Sequence, residues 1–316
     1  MGKLKKSLWD AAMVPFLYPS ALLMKKVRRM GVHKLPLCRR VLMQVGVFPI
    51  RDHFYEPLFN EKYLMRPLSE PRHLPGIVWN VDEQLALLES FAFAEELQDI
   101  PEKKHSGPVF YMGNGVFGPG DAEYWYSMIR SKKPRTIIEV GSGYSTLMAI
   151  RAVKKNQSED SSYRCKHICI EPFKKAWLEE TGVVVLRNKV EEVEKDVFLE
   201  LRENDILFID SSHIIRPQGD VLLEYLELLP SLNKGVIVHI HDIFSPRDYP
   251  AAWVKDRIRF WNEQYLLEAF LTHNQDWKII GALNLLQHSH HQRLKATCPF
   301  LMPDTEPGSF YIQKKA

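Results

Sequence analysis

From Thr136 onward the sequence alternates short apolar, β-branched runs with segments of helical spacing. The runs predict seven strands, at Thr136–Val140, His167–Ile170, Val183–Leu186, Ile206–Asp210, Gly235–His241, Trp277–Ala282 and Phe310–Gln313. Helices are predicted between several of them, at Ser145–Lys155, Lys174–Glu180, Asp220–Leu228 and Glu263–Thr272. Strands joined by helical crossovers pair in parallel, so the pattern indicates an α/β fold with a doubly wound, mostly parallel seven-stranded sheet. Ligands bind such sheets beyond the carboxyl ends of the strands.

The chain before the first strand has a different character. Residues 1–75 are rich in Pro and Arg and predict an N-terminal extension that is mainly helical and irregular. Residues 76–316 predict one domain built on the sheet, with a helical lead-in over residues 76–130 that contains helices at Val81–Leu97 and Asp121–Arg130. The histidine-rich stretch His288–His291 is expected to be a solvated loop.

Charge is distributed unevenly along the chain, whose net charge is +3. Residues 1–40 carry ten Lys and Arg and one acid, a balance of +9, so the remainder is −6. A mildly acidic body argues against a nucleic-acid partner, because such proteins concentrate basic charge around their binding cleft. The four cysteines form no CxxC pair, which favours a reducing, cytoplasmic compartment.

The apolar stretch Leu8–Met24 contains Pro15 and Pro19 and is shorter than the ~20 residues that span a bilayer. Lys25, Lys26 and further basic residues follow it. Two interpretations stay open: a helical extension packed on the body, or a basic amphipathic segment that lies on an anionic membrane. The second would place residues 1–40 at the inner surface of the cell membrane.

A glycine-rich turn follows the first predicted strand, in the sequence TIIEVGSGYST from Thr136 to Thr146. Gly141 permits a tight turn and Gly143 a close approach of the backbone to a ligand, but the turn lacks the full GxGxxG pattern. Glu139 suits a cationic ligand, such as the sulfonium and ammonium of S-adenosylmethionine, better than the pyrophosphate of NAD. Glu171 ends the second strand, where a carboxylate can accept both ribose hydroxyls.

Polar side chains cluster after two neighbouring strands. Asp210-Ser-Ser-His213 follows the fourth strand and His239-Ile-His241-Asp242 ends the fifth. Adjacent strand ends lie about 5 Å apart, so these side chains are expected to meet beside the glycine-rich turn. Histidine is a suitable base near neutral pH, and an Asp/His/Asp set is suited to Mn²⁺, Fe²⁺ or Zn²⁺.

Three motifs, IIEVGSGYST, ICIEP and ILFIDSSH, resemble the first, second and fourth motifs of class I S-adenosylmethionine-dependent methyltransferases, which have a Rossmann-like fold. The resemblance covers about Thr136–Leu286. It implies S-adenosylmethionine as cofactor, with the ribose on Glu171 and the adenine near Asn188–Glu192. The other cofactor-binding candidates lie on the glycine-rich turn and after the fourth strand: Glu139, Gly141, Ser142, Gly143, Ser145 and Asp210.

The downstream segment FSPRDYPAAWVKDRIRFWNEQYLLEAFL resembles one in bacterial methyltransferases of the methyltransferase domain 24 type. Its residues Asn262, Glu263 and Gln264 are candidates for the acceptor pocket or, equally, for capping a helix.

The polar strand ends are similar to those of metal-dependent O-methyltransferases that act on antibiotic sugars and cephalosporins. This resemblance implies that Asp210 and Asp242 bind a divalent metal and that His213 removes the acceptor proton. His241 stands where those enzymes have an acid, which extends the candidate metals from Mg²⁺ to Mn²⁺, Fe²⁺ and Zn²⁺. His239 and Asp210 are further catalytic candidates.

The expected activity is O-methylation of a hydroxyl on a sugar, glycan or secondary metabolite. Such relatives are commonly oligomeric, which makes a homo-oligomer an expectation here. Three alternatives stay open: a metal-independent N- or carboxyl methyltransferase, a nicotinamide-dependent oxidoreductase, and a non-catalytic scaffold that binds the cofactor.

Overall fold

The computed structural model describes residues 3–315 of the 316-residue chain, with side chains from Lys6 onward. The chain divides into two compact units. The first comprises residues up to Arg66 together with Ala252–Phe260, and the second comprises Pro67–Ala251 and Trp261–Ala316.

The second unit contains a seven-stranded sheet, and the predicted α/β, Rossmann-like fold is confirmed. The strand order is β3-β2-β1-β4-β5-β7-β6. All neighbouring strands pair in parallel except β7, which is antiparallel to both β5 and β6. The chain therefore reverses its strand order between β1 and β4, the place where such sheets open a binding crevice. The strands are β1 Thr136–Val140, β2 Lys166–Ile170, β3 Val184–Leu186, β4 Ile206–Ile209, β5 Ile237–Ile240, β6 Trp277–Ala282 and β7 Phe310–Lys314.

Helices cover both faces of this sheet, because side chains that alternate along each strand bury against different layers. Ile137 and Phe208 face one apolar core with residues of α3, α4, α5 and α11, whereas Ile138 and Leu207 face a second core with α10 and the helical segment after Asp220. The helices are α3 Val81–Glu89, α4 Asp121–Lys132, α5 Tyr144–Glu159, α6 Ala176–Glu179, α7 Asp196–Leu199, α8 Asp220–Leu223, α9 Leu229–Ser231, α10 Glu263–Leu271 and α11 Leu283–Thr297.

Several helices differ from their predicted extent. The helix predicted over Val81–Leu97 ends at Glu89, and a separate 3₁₀ turn follows at Ala94–Leu97. Phe91, between them, turns inward and packs edge-on against Tyr124 at 5.3 Å. The segment Asp220–Ser231 is helical throughout, but Glu224–Leu228 has π-helical hydrogen bonding. The loop expected at His288–His291 is wrong, because these residues lie in α11, which is kinked at His290 and carries buried Leu286 and Leu294 on its inner side. The solvation is as expected at His288, which is exposed.

The first unit contains α1 Lys3–Met30 and α2 Pro36–Val45, joined by a 3₁₀ turn at Val32–Lys34. Its remaining helical elements are a 3₁₀ turn at Glu61–Tyr63 and a π-helical turn at Ala252–Asp256. Among the described residues, no helix is both long and apolar enough to cross a membrane.

Candidate functional site

The glycine-rich turn between β1 and α5 passes directly over the end of β4. Gly141 has φ +82°, and a Cβ on it would lie 2.2 Å from the carbonyl oxygen of Asp210. Its N–H donates to Ile170 O at 3.0 Å, while Asp210 N–H donates to Val140 O at 2.9 Å. Any side chain at position 141 would therefore separate β1 from β4, and glycine is required for close packing as well as for φ.

Glu139 is placed differently from the expectation that its carboxylate faces the cofactor. The side chain is fully buried beneath the turn. One oxygen lies 2.6 Å from His167 Nε2, and the other accepts hydrogen bonds from Ser145 Oγ at 2.9 Å and Thr146 Oγ1 at 2.8 Å. Glu139 therefore links β1 to α5, through Ser145 and Thr146, and to β2, through His167. These contacts occupy the carboxylate, so it does not face the cofactor side of the turn.

Glu171 lies at the end of β2, next to the turn, as predicted. Its Oε1 accepts the N–H of Phe173 at 3.0 Å, and its Oε2 lies 2.6 Å from Lys175 Nζ and 3.4 Å from Ser142 N. A side chain with two oxygens held by neighbouring donors has a fixed orientation. The ammonium of Lys175 sits where a hydroxylated ligand would approach the carboxylate.

Two cavities open above the carboxyl ends of the strands, and Asp210 lines both. One, of about 460 Å³, is bordered by Gly141, Glu171, the Lys189–Glu191 segment and Ser212. The other, of about 650 Å³, is bordered by Ser142, Gly143, Ser145 and His241 on one side and by Tyr111, Tyr144 and Trp177 on the other. The predicted cofactor residues that border a cavity therefore lie between these spaces, with Asp210 at their common boundary.

His213 is buried beside Asp210, surrounded by three carboxylates, and lines neither cavity itself. Its Nδ1 is 2.7 Å from Glu263 Oε2, and its Nε2 is 3.2 Å from Asp210 Oδ1 and 3.5 Å from Asp242 Oδ2. Burial alone would lower the pKa of His213, but the bonds to Asp210 and Glu263 outweigh it and raise the pKa to about 10. Both His213 and Asp242 have φ of +60°, which turns each side chain back over the sheet.

Asp210, His241 and Asp242 come close enough together to bind one metal ion. One ligand atom from each lies within 4.8 Å of the others. His241 Nδ1 is 3.6 Å from Asp210 Oδ1 and 3.6 Å from Asp242 Oδ1. Both ring nitrogens of His241 are buried and make no hydrogen bond to any described residue. An unsatisfied buried nitrogen that faces two carboxylates is a donor set that a divalent cation fits.

His239 does not reach the cavities, contrary to the expectation of a catalytic role. Its ring is fully buried, stacks on Tyr311 at 4.1 Å and lies 2.8 Å from Ser309 Oγ through Nε2. Burial and the charge of His241 hold the pKa of His239 well below its ordinary value, so the ring is neutral. His239 shares its register position with Phe208 and points, like Phe208, into the aromatic core beneath the site.

The structure adds two carboxylates that the strand-end argument missed. Glu263, the first residue of α10, is fully buried and receives Tyr225 OH at 3.0 Å besides contacting His213. Asp121, the first residue of α4, lies 3.4 Å from His241 Nε2 and accepts the N–H groups of Gly308 and Ser309. Each stands at the N-terminus of a helix, and for Glu263 the sequence left a capping role and a pocket role equally open.

Comparison with known proteins agrees with this architecture. A family model described as a methyltransferase domain matches residues 138–243. An uncharacterized protein of Archaeoglobus fulgidus is 32% identical over 178 residues, which are 52% of this chain and 78% of the relative.

Solved structures with a similar fold include two O-methyltransferases. TomG of Streptomyces achromogenes, involved in tomaymycin synthesis and solved with S-adenosylmethionine, is 16% identical with a TM-score of 0.37. The alignment covers 73% of this chain and 90% of TomG. An enzyme of Bacillus cereus, solved with S-adenosylhomocysteine, is 12% identical with a TM-score of 0.36 over 73% of this chain and 91% of that one.

The sheet, the glycine-rich turn and the matched domain define an enzyme of the Rossmann-like transferases. The chain belongs to the class I S-adenosylmethionine-dependent methyltransferases, in the family that carries methyltransferase domain 24.

Proposed function

We propose that this methyltransferase transfers the methyl group to a hydroxyl oxygen of a small-molecule or glycan acceptor. The observation that carries the proposal is the meeting of His213, His241 and Asp242 around Asp210, which lines both cavities. An alcohol has a high pKa, and its methylation requires a base or a metal that gives the oxygen anionic character. Around Asp210, His213 is the candidate base, and Asp210, His241 and Asp242 are the candidate metal ligands.

The cofactor is proposed to lie along the glycine-rich turn. Its adenosine would occupy the 460 Å³ cavity, with the ribose hydroxyls on Glu171 and the adenine beside Lys189–Glu191. The methionine part would pass over Gly141 and Gly143 toward Asp210. Lys175 would then leave Glu171 Oε2 and be free to pair with the carboxylate of the cofactor.

His213 is proposed as the general base. As the acceptor oxygen bonds to the methyl carbon and the sulfonium sulfur leaves as a thioether, His213 Nε2 takes the hydroxyl proton. Glu263 holds the opposite nitrogen, so that Nδ1 keeps its proton and Nε2 faces Asp210, beside which the acceptor would have to approach it. Because nearby carboxylates raise the pKa of His213, positive charge placed between Asp210 and Asp242 would favour its neutral, basic form.

Asp210, His241 and Asp242 are the residues that would hold a divalent metal, since they supply two carboxylates and one unsatisfied imidazole nitrogen. A metal bound there would act as a Lewis acid toward the acceptor oxygen. Asp121 lies behind His241 Nε2 and would fix the ring so that Nδ1 faces the carboxylates.

The acceptor is proposed to enter the 650 Å³ cavity. Tyr111 and Tyr144 pack edge-on there at 5.3 Å, with their hydroxyls 3.0 Å apart, and Trp177 and Phe117 also line the space. Aromatic faces with exposed hydroxyls bind rings that combine apolar faces and polar edges. Sugars and hydroxylated aromatic metabolites both have this character.

Calorimetric titration of S-adenosylmethionine and S-adenosylhomocysteine into metal-stripped protein, repeated with Mg²⁺, Mn²⁺ and Zn²⁺, tests the proposal. We expect cofactor binding without metal, heat from at least one metal alone, and loss of that heat in Asp242→Asn. Labelled methyl transfer to a panel of hydroxylated acceptors should then depend on His213 and decline with chelation. Transfer that is indifferent to chelation would contradict the metal and favour the metal-independent alternative. Transfer retained in His213→Gln would contradict the role of His213 as the base.

A further inference from the structure

Apolar exposure is concentrated in the first unit. Of the 31 large hydrophobic side chains that are exposed in the described chain, 22 belong to this unit, which makes up less than a quarter of the residues. They include Trp9, Phe16, Leu17 and Tyr18 on α1, each more than 60% exposed. Monomeric proteins in water rarely show apolar patches this extensive without a function for them.

The same unit buries very little of its own. Among the side chains that the structure describes in α1, the 3₁₀ turn and α2, from Lys6 onward, only Val32 and Leu42 are buried hydrophobic residues. The turn region is held instead by ion pairs, in which Glu56 Oε1 lies 3.0 Å from both Arg28 Nε and Arg51 Nε. The 28-residue helix α1 therefore buries few of its apolar side chains within the first unit.

Positive charge surrounds the apolar part of α1. Between Leu8 and Met24 the helix contains one charged residue, Asp10, whereas Lys25, Lys26, Arg28 and Arg29 follow within one and a half turns. The ordering of an apolar segment with Trp and Tyr beside a basic cluster is typical of helices that lie in the headgroup region of an anionic bilayer.

A basic cleft of about 460 Å³ lies next to this cluster, lined by Arg28, His33, Arg39, Arg51 and Glu56 among others. Three guanidinium groups face one carboxylate, so the cleft keeps an excess of positive charge. Arginine binds phosphate oxygens in pairs, which makes the cleft chemically suited to the phosphate of a lipid headgroup.

We infer that the first unit docks the enzyme on an anionic phospholipid membrane, with α1 lying in the interface and the basic cleft on the headgroups. No described helix is long and apolar enough to cross the bilayer, so contact is peripheral. The inference concerns attachment and does not depend on the identity of the acceptor or on the metal.

Co-sedimentation of the full-length protein with vesicles tests the inference. Vesicles of phosphatidylcholine with 30 mol% phosphatidylglycerol should pellet the protein at low salt, and phosphatidylcholine alone should bind it at least tenfold more weakly. The triple variant K25E/K26E/R29E removes charge without touching the Arg28–Glu56 pair and should weaken partitioning by roughly 100-fold. The variant W9S/F16S/L17S should weaken it by roughly tenfold or more.

Matched variants in the second unit serve as controls. K133E/K154E/K234E changes the net charge equally, and V78S/L226S/M302S removes three exposed apolar side chains. Both should pellet like the wild type. Equal losses in the control and test variants would reduce the effect to bulk charge or hydrophobicity and overturn the inference.

Absence of pelleting by the soluble wild-type chain on anionic vesicles would also overturn it. If the apolar helix instead joins copies of the chain, analytical ultracentrifugation would show concentration-dependent association that W9S/F16S/L17S abolishes, with no vesicle binding. That result would mean that α1 binds a second copy of the chain rather than a membrane. The same variants should bind the cofactor as the wild type does. That result would show that the second unit is folded in each of them.

Discussion

Asp210 occupies the position on which most of the site depends. Its carboxylate is shared among His213, His241 and both cavities, and its carbonyl oxygen contacts the glycine-rich turn. Asp210 was predicted as a site residue because a polar side chain at the carboxyl end of a buried strand faces the crevice at that edge of the sheet. The same reasoning predicted that His213, His241 and Asp242 lie close to Asp210.

Glu263 and Asp121 could not be found in this way, because their contacts with the site are made across the chain. Glu263 lies 50 residues after His213, and its sequence context allowed a capping group or a pocket residue equally. Asp121 precedes the sheet altogether and reaches His241 through the packing of α4. The interpretation of Glu139 as a ligand contact was wrong because the hydroxyls of Ser145 and Thr146, in the first turn of α5, donate to its carboxylate.

Glu263→Gln tests the role of Glu263 as a positioning residue. The amide keeps the size but presents no negative charge to His213 Nδ1, so the imidazole loses its preferred orientation and tautomer. We expect kcat for methyl transfer to fall by about 10²-fold or more, with the affinity for S-adenosylmethionine unchanged. Steady-state kinetics and calorimetry measure the two quantities.

Tyr225→Phe is the matched control for this variant. It removes the hydroxyl that contacts the other oxygen of Glu263 and leaves the bond to His213 in place. Its kcat should fall much less than that of Glu263→Gln. Equal losses in both variants would mean that Glu263 serves only the packing of α10.

His167→Gln tests the buried pair under the glycine-rich turn. Burial lowers the pKa of His167, but its contacts with Cys169 and Glu139 outweigh burial and raise the pKa to about 10, from 6.5 in the unfolded chain. A raised folded pKa contributes stability that is complete below pH 6.5 and is lost as pH rises toward 10. The Gln amide can still donate to Glu139 but does not titrate.

Thermal unfolding of both proteins between pH 6 and pH 10 measures this contribution. The Tm of the wild type should decline more steeply across the range than that of His167→Gln, so that the difference between them shrinks with pH. Parallel Tm curves would show that His167 is neutral throughout and that the bond to Glu139 carries no charge.

At the scale of elements, the strand ends were predicted within two residues, and so were most helix ends; the largest errors are the C-terminal end of α3 and the whole of α11. Strand positions follow from runs of buried β-branched residues, a local signal that tertiary contacts reinforce. Helix α3 ends early because Phe91 turns toward Tyr124, and α11 was missed because its polar histidines obscure the inner Leu286 and Leu294. Both errors arise because contacts with distant parts of the chain, which the local sequence does not show, decide the extent of these helices.

Gly141→Ala tests the junction of β1 and β4 through the turn between them. The new Cβ would lie 2.2 Å from the Asp210 carbonyl, on backbone that cannot yield without shifting β4, and at φ +82°. We expect a loss of about 2–4 kcal/mol in unfolding free energy and loss of cofactor binding. Urea unfolding and calorimetry measure these, and Gly143→Ala is the matched control.

Gly143 has open space around its Cβ direction and a negative φ, so the unliganded control should unfold like the wild type. Its cofactor affinity should nevertheless fall, because the methyl group would enter the path proposed for the ligand. A stable Gly141→Ala protein that binds the cofactor normally would contradict the close packing of the two strands.

For the whole molecule, Asp210 lines both cavities and is one of the three proposed metal-binding residues. Cofactor and metal should therefore each stabilise the fold, and the two effects should be separable. A ligand that binds only the folded state raises stability by about 2.7 kcal/mol at a concentration 100 times its Kd. Asp242→Asn keeps φ +60°, which Asn tolerates, and removes one of the two carboxylates proposed to bind metal, without touching the cavity around Glu171.

Wild-type protein should therefore gain Tm from S-adenosylhomocysteine and, separately, from the metal that calorimetry identifies. Asp242→Asn should keep the first gain and lose most of the second, whereas Glu171→Gln should do the reverse, since Glu171 borders only the adenosine side. Differential scanning fluorimetry with each ligand alone and with both resolves the four cases. Loss of both gains in Asp242→Asn would mean that the metal position and the cofactor position are one site rather than two neighbours joined at Asp210.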